Sequence, residues 1–249
     1  MENKGCRLIC VGSSSLGNSY AIDSGSELLL LEAGMKMADV KKSIDYRINN
    51  VVGCLTSHRH FDHSKYAVEY SRFGIKVYCN EDTASNKSFA YGTYKIIEAC
   101  KTYHIGSFSV TPFEVAHDVP CFGFLIKHPS SGVILFATDT YKIPLYVSGI
   151  DHYLIEANYC DDILRENVWS GKVDNKQADR IMLAHMSLDY TVKYLMDCKA
   201  ENAKTITLCH LSERNSNPDS FQRTVAGAFG VPTYIAKKGL VVELNKNVI

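Results

Sequence analysis

Thr56-Ser57-His58-Arg59-His60-Phe61-Asp62-His63 is the stretch on which the reading of this chain turns. Three histidines and one aspartate fall within six positions, directly after the apolar run Val51-Val52-Gly53-Cys54-Leu55. Side chains on extended backbone alternate sides, so a strand ending here sends His58 and His60 one way. The turn that follows carries Asp62 and His63 to the other side. Imidazole nitrogens and carboxylate oxygens are the donor set for zinc, manganese or iron rather than calcium. One histidine in a loop is ordinarily a hydrogen-bonded surface residue. An H-x-H-x-D-H run behind a buried strand reads as a metal-binding loop.

The same placement recurs further along the chain. His117 follows Phe113-Glu114-Val115-Ala116, and Asp139 follows Ile134-Leu135-Phe136-Ala137-Thr138. His185 follows Ile181-Met182-Leu183-Ala184, and His210 follows Ile206-Thr207-Leu208-Cys209. Just past an apolar run, a side chain projects from a rigid element into a shared cleft. Alone, each is an ordinary surface or helix-end residue. Beside the H-x-H-x-D-H loop, His117, Asp139 and His210 become candidate ligands.

Apolar runs broken by turn residues predict strands over 8–11, 20–22, 28–31, 51–56, 76–79, 108–114, 122–127, 133–137, 153–156, 205–209 and 240–244. Val40, Ile44 and Ile48 recur every four residues, which predicts a helix before residue 51. Tyr66, Ala67, Tyr70 and Phe73 share a helical face, and further helices are expected near 187–198 and 219–229. Asn217 is placed to cap the last, with Pro218 at its first position. Phe89-Ala90-Tyr91-Gly92-Thr93-Tyr94 fits no regular element; its aromatics are expected to pack under a loop rather than stack on a nucleobase. Strands followed by helices occur twice, compatible with two sheets packed face to face with helices outside. Periodicity alone does not separate this from other α/β layouts.

Bulk composition excludes classes rather than naming one. The 249 residues are 46% hydrophobic and 22% charged, which sets aside disordered, collagen-like and coiled-coil chains. No apolar run approaches the roughly 18–20 residues of a membrane span, and Met1-Glu2-Asn3-Lys4-Gly5-Cys6 lacks the apolar region of a secretory signal. Lys and Arg number 27, as do Asp and Glu. That balance argues against a long nucleic-acid partner, whose affinity comes mostly from phosphate neutralisation, and leaves small anionic substrates open. The nine cysteines are odd in number and form no C-x-x-C, as expected of reduced thiols in a cytoplasmic protein. One domain over 1–249 is expected.

In its order and spacing of histidines and aspartates, nearly the whole chain resembles the metallo-β-lactamase superfamily. That resemblance implies an αβ/βα sandwich of two mixed sheets with helices on the outer faces, holding two divalent ions. His58, His60 and His117 would hold the first, Asp62, His63 and His210 the second, with Asp139 between them. Zinc is the expected metal, and manganese would suit the carboxylates. Two such ions lower the pKa of a water between them from about 15.7 to about 7 or below, so hydrolysis is the expected reaction class.

Residues outside the metal set narrow the substrate. Tyr153-Leu154-Ile155-Glu156-Ala157-Asn158 and Leu183-Ala184-His185-Met186-Ser187 resemble segments of the tRNase Z-like phosphodiesterase branch. There a Glu positions a His that protonates the leaving alkoxide, a pair that would be Glu156 and His185 here, with Asp62 as a further catalytic candidate. The other reading of His185 is that it ends one helix while Ser187 caps the next. Gly12-Ser13-Ser14-Ser15-Leu16-Gly17-Asn18-Ser19 and His210-Leu211-Ser212-Glu213-Arg214-Asn215 resemble loops of bacterial and phage members, which makes Asn18, Ser212 and Asn215 candidate substrate contacts. The chain lacks the long basic arm with which tRNase Z clamps tRNA. The leading expectation is therefore hydrolysis of a cyclic mononucleotide, as in the phage anti-Pycsar enzymes, which the chain resembles. The alternative is a DNA or RNA nuclease of the same branch. Members of that branch are often homodimers, which the resemblance extends to this chain as an expectation.

Overall fold

The computed structural model describes residues 5–246. Residues 1–4, part of the stretch read as lacking a secretory signal, lie outside the described residues. Two seven-stranded sheets are laid down almost in chain order. The first contains β1 (Arg7–Gly12), β2 (Ser19–Asp23), β3 (Leu28–Leu31), β4 (Val51–Leu55), β5 (Val77–Cys79) and β6 (Tyr94–Ile96), with β14 (Val241–Glu243) beyond β1. The second contains β7 (Tyr103–Ile105), β8 (Phe108–Val115), β9 (Cys121–His128), β10 (Gly132–Ala137), β11 (His152–Glu156), β12 (Thr205–Cys209) and β13 (Thr233–Ile235). Each sheet begins antiparallel and ends parallel, the change falling at β3 and at β10.

Leu28-Leu29-Leu30-Leu31 explains why helices must cover both outer faces. All four side chains are fully buried. Leu29 and Leu31 join Leu8, Tyr20, Phe108, Phe124 and Phe136 between the sheets. Leu28 and Leu30 face outward onto Met37, Val40 and Tyr70 of the helices Met37–Ser43 and Ala67–Arg72. The second sheet repeats the pattern. Leu135, Ile155, Ile206 and Leu208 pack outward against Leu195, Phe221 and Val225 of the helices Leu188–Asp197 and Pro218–Phe229. A strand buried on both faces reads as a continuous apolar run because neither set of alternate residues meets water. The result is the expected four-layer αβ/βα sandwich.

Most expected elements lie within a residue or two of their predicted ends. Asn217 caps the last helix, accepting from the Ser220 N–H at 3.0 Å. The helix expected through Ile48 stops at Ser43, because Asp45 and Tyr46 adopt φ of +52° and +58°; Ile48 begins a separate 3₁₀ turn. Helices Asp161–Trp169 and Asn175–Ala184 were not expected: few apolar residues mark their buried side, and Trp169, Met182 and Leu183 are exposed instead, which blurs the apolar face. Phe89 stacks on Tyr94 as anticipated, whereas Tyr91 is fully exposed. All nine cysteines are free. Among the described residues, no helix is long and apolar enough to cross a membrane.

Candidate metal centre

Parallel strands run in one direction, so their C-terminal ends gather along one edge of each sheet, where open α/β sheets place their ligands. Glu32 follows β3, the H-x-H-x-D-H loop follows β4, and His117 lies just beyond β8. Asp139 follows β10, Glu156 ends β11, and His210 follows β12. Three of these, Glu32, Asp139 and His210, hold left-handed backbone with φ of +64°, +50° and +53°. Such a conformation costs about 1–3 kcal/mol in a non-glycine residue and persists only where the surroundings impose it. Here the Glu32 N–H is tied to the Leu55 carbonyl and the His210 N–H to Ser13 Oγ.

The side chains converge in two groups that share Asp139. His58, His60, His117 and Asp139 offer donor atoms within 4.8 Å of one another, as do Asp62, His63, Asp139 and His210. Asp139 Oδ2 lies 3.8 Å from His58 Nε2 and 3.2 Å from His63 Nε2, and its Oδ1 lies 3.4 Å from His210 Nε2. Behind these side chains, hydrogen bonds fix the rings. His58 Nδ1 meets Ser57 Oγ at 2.9 Å, His117 Nδ1 donates to the Ala184 carbonyl at 3.2 Å, and His210 Nδ1 meets Asn18 Oδ1 at 3.1 Å. Their other nitrogens are thereby turned toward the cluster, the arrangement that orients metal-ligating imidazoles.

Whether these residues suit a cation can be tested on the chain itself. His58 Nε2 is buried without a hydrogen-bond partner. Burial, followed by the neighbouring His63, holds the His58 pKa well below the ordinary 6.5 and leaves the ring neutral with a free lone pair. Burial opposes the charge on Asp139, yet His210 and His63 outweigh it and keep the carboxyl ionised, well below 3.8. Burial also opposes a charge on His63, but Asp139, Asp62 and Glu32 push its pKa well above 6.5. The chain by itself thus balances its converging carboxylates with protons. A divalent cation is the natural replacement, and the donor set fits one.

The loop is pinned from below. The Asn18 N–H donates to the Asp62 carbonyl at 2.7 Å, and the Ala33 N–H donates to the His63 carbonyl at 2.7 Å. Gly34 packs so tightly that a Cβ there would lie 1.7 Å from the Asp62 carbonyl oxygen. Asn18 is fully buried, and its amide is shared among His63, Asp62 and His210, which holds these side chains in place. Ser212 and Asn215 bond to each other, and Asn215 Oδ1 also accepts from Asn167. The structure does not bring these two to the cavity; Ser15 of the glycine-serine loop does line it.

Glu156 and His185 come together beside the cluster. His185 Nδ1 lies 2.7 Å from the fully buried Glu156 Oε1, while Glu156 Oε2 accepts from the Thr140 N–H at 3.0 Å. His185 follows the helix Asn175–Ala184, and Ser187 caps the next helix through the Tyr190 N–H, so the bland reading and the paired one are both realised. Burial opposes the imidazolium, but Glu156 outweighs it and raises the His185 pKa to about 9. That direction favours the imidazolium at neutral pH, the form that carries a proton on Nε2 as well as on Nδ1. His185 lines a cavity of about 540 Å³ with His60, Asp62, Asp139, His210 and Arg180. Sequence reading missed Arg180, because its helix was missed. It also missed Glu32, whose carboxylate lies 3.5 Å from His63 Nδ1 and accepts from the Ser57 N–H. Glu32 carried the same signal as the candidate ligands, a polar residue closing an apolar run.

Comparison with known proteins places this geometry. The chain is 30% identical over 233 residues to the exodeoxyribonuclease WalJ of Streptococcus pneumoniae, covering 87% of this chain and 85% of that protein. It is 23% identical over 235 residues to the exodeoxyribonuclease YycJ of Bacillus anthracis, covering 89% and 88%. Among solved structures, the metallo-β-lactamase fold protein YhfI of Bacillus subtilis superposes with a TM-score of 0.74 at 19% identity, over 96% of this chain and 99% of that one. No protein-family model matches the chain.

Proposed function

The chain belongs to the metallo-β-lactamase-fold hydrolases that include exodeoxyribonuclease WalJ, and on that premise we propose that it is a metal-dependent phosphodiesterase that degrades DNA from an end. The alternative of the sequence reading thus moves ahead of the cyclic mononucleotide. The observation that carries the choice is the likeness, along most of both chains, to a protein named for exodeoxyribonuclease activity.

His58, His60 and His117 would hold one ion and Asp62, His63 and His210 a second, with Asp139 between them. The histidine-rich set favours zinc, while manganese would suit the carboxylates. When bound, such ions supply the charge that polarises a phosphodiester and activates water. The chain's own residues do the rest. Glu156, held by the Thr140 N–H, orients His185 through Nδ1. As the P–O bond breaks, the His185 Nε2 proton passes to the departing alkoxide, a transfer that typically contributes about 10²–10⁴-fold. Arg180, on the cavity wall, pairs with the phosphate.

The test is turnover measured side by side, with zinc or manganese, on DNA oligonucleotides and on the cyclic forms of CMP, UMP, AMP and GMP. The expected result is mononucleotide release from DNA and little turnover of the cyclic forms. The reverse pattern would overturn the proposal.

A further inference from the structure

A second cavity of about 560 Å³ opens beside the one over the metal ligands. The two share His60, Asp62, Asp118 and Arg180, so they form one continuous groove. Beyond the shared residues, the second is walled by Arg59, Phe61, Asn86 and Lys87. Phe61 lies between two of the proposed ligands in sequence yet is 76% exposed, leaving its ring as a wall of the groove. The Lys87 ammonium lies 5.5 Å from the centre of that ring. Arg59 shares its charge with Asp82 at 3.3 Å, whereas no carboxylate of the described residues lies within 4.0 Å of Lys87 or Arg180. Partial burial penalises the Lys87 charge and lowers its pKa, a penalty that a bound anion would offset.

An aromatic face flanked by cations is how proteins hold a nucleic-acid strand: bases stack while phosphates are neutralised. We propose that this second cavity is the subsite for the nucleotide adjoining the scissile phosphate of a DNA strand, with Phe61 stacking on its base and Lys87 and Arg59 meeting its phosphate. The inference rests on the nuclease reading above and adds the residues that favour a strand over a single nucleotide. A cyclic mononucleotide fills one cavity and leaves the second without use, since about 300–1,000 Å³ is the usual size of a small-molecule site. A strand occupies both. The subsite also answers the zero net charge, because the basic surface needed is local and small.

The experiment compares the wild-type protein with Phe61→Ala, Phe61→Trp and Lys87→Gln. One readout is fluorescence anisotropy of a labelled oligothymidylate across a salt series, and the other is kcat/KM on that oligonucleotide and on bis(p-nitrophenyl) phosphate. Phe61→Ala is expected to weaken oligonucleotide binding roughly tenfold, with Phe61→Trp restoring it. Lys87→Gln is expected to flatten the plot of log affinity against log salt by about 0.7. Both Phe61→Ala and Lys87→Gln should reduce kcat/KM on the strand several-fold more than on the small diester. Lys87 lies outside the metal loop, so its result stands even if Phe61→Ala disturbs that loop. Equal losses on the two substrates, or unchanged oligonucleotide binding in both variants, would overturn the subsite alone. A wild-type protein that hydrolyses cyclic mononucleotides and no DNA would overturn the nuclease reading and the subsite with it.

Discussion

In the proposed mechanism His185 gives its proton to the departing oxygen, and that makes its contribution depend on the leaving group. An alkoxide leaves DNA only with a proton, whereas p-nitrophenolate is stable without one. His185→Ala is therefore expected to lower kcat on a dinucleotide by about 10²–10⁴-fold and on bis(p-nitrophenyl) phosphate far less. Equal losses on both, measured at the same pH and metal concentration, would remove the acid role and leave His185 a packing residue beside His210. At this scale the cluster of candidate ligands was legible because H-x-H-x-D-H compresses four donors into six positions behind a strand. Glu32 and Arg180 were not, since each matters only through what the fold sets opposite it. The burial of the Asn18 amide against His63 was not legible, because it is a tertiary fact.

Among the elements, Asp23 at the end of β2 holds two others in place. Arg7 of β1 donates to Asp23 Oδ2 at 2.7 Å, and Arg47, beyond the first helix, donates to the same oxygen. Burial opposes the Asp23 charge, but Arg47 and Arg7 outweigh it and lower the carboxyl pKa below 3.8. The stability this adds is complete above that ordinary value and is lost as pH falls through the lower folded value. Asp23→Asn is expected to cost about 2 kcal/mol at pH 7, with both arginines left short of a partner. The gap should close as the pH is taken well below 3.8, as measured by urea unfolding. A gap independent of pH would assign the loss to packing. The strands were readable because apolar runs bounded by turns are a strong signal. The three-residue strands β6, β7 and β13 are too short to show one, and in the helices Asp161–Trp169 and Asn175–Ala184 the exposed Trp169, Met182 and Leu183 obscure the helical period. It is the second of those helices that brings Arg180 and Ile181 to the cavity.

Over the whole molecule, the strand ends of two sheets bring together residues from Asn18 to His210. Periodicity along the chain does not contain that convergence; it became legible only through resemblance to a known family. The formal charge of zero hides an uneven distribution. Asp62, Asp139, Glu32 and Glu156 gather at the candidate metal centre, while Arg59, Lys87 and Arg180 outnumber Asp62 and Asp118 along the cavity beside it. Because divalent ions can supply positive charge at the scissile phosphate, overall neutrality does not oppose a DNA substrate. The measurement that bears most directly on this account is digestion of linear and covalently closed single-stranded DNA, with metal and after chelation, by the wild-type protein and Asp62→Ala. The account predicts mononucleotides from the linear strand alone, only with metal, and none from the variant. Cleavage of the closed circle, or undiminished digestion after chelation, would contradict it.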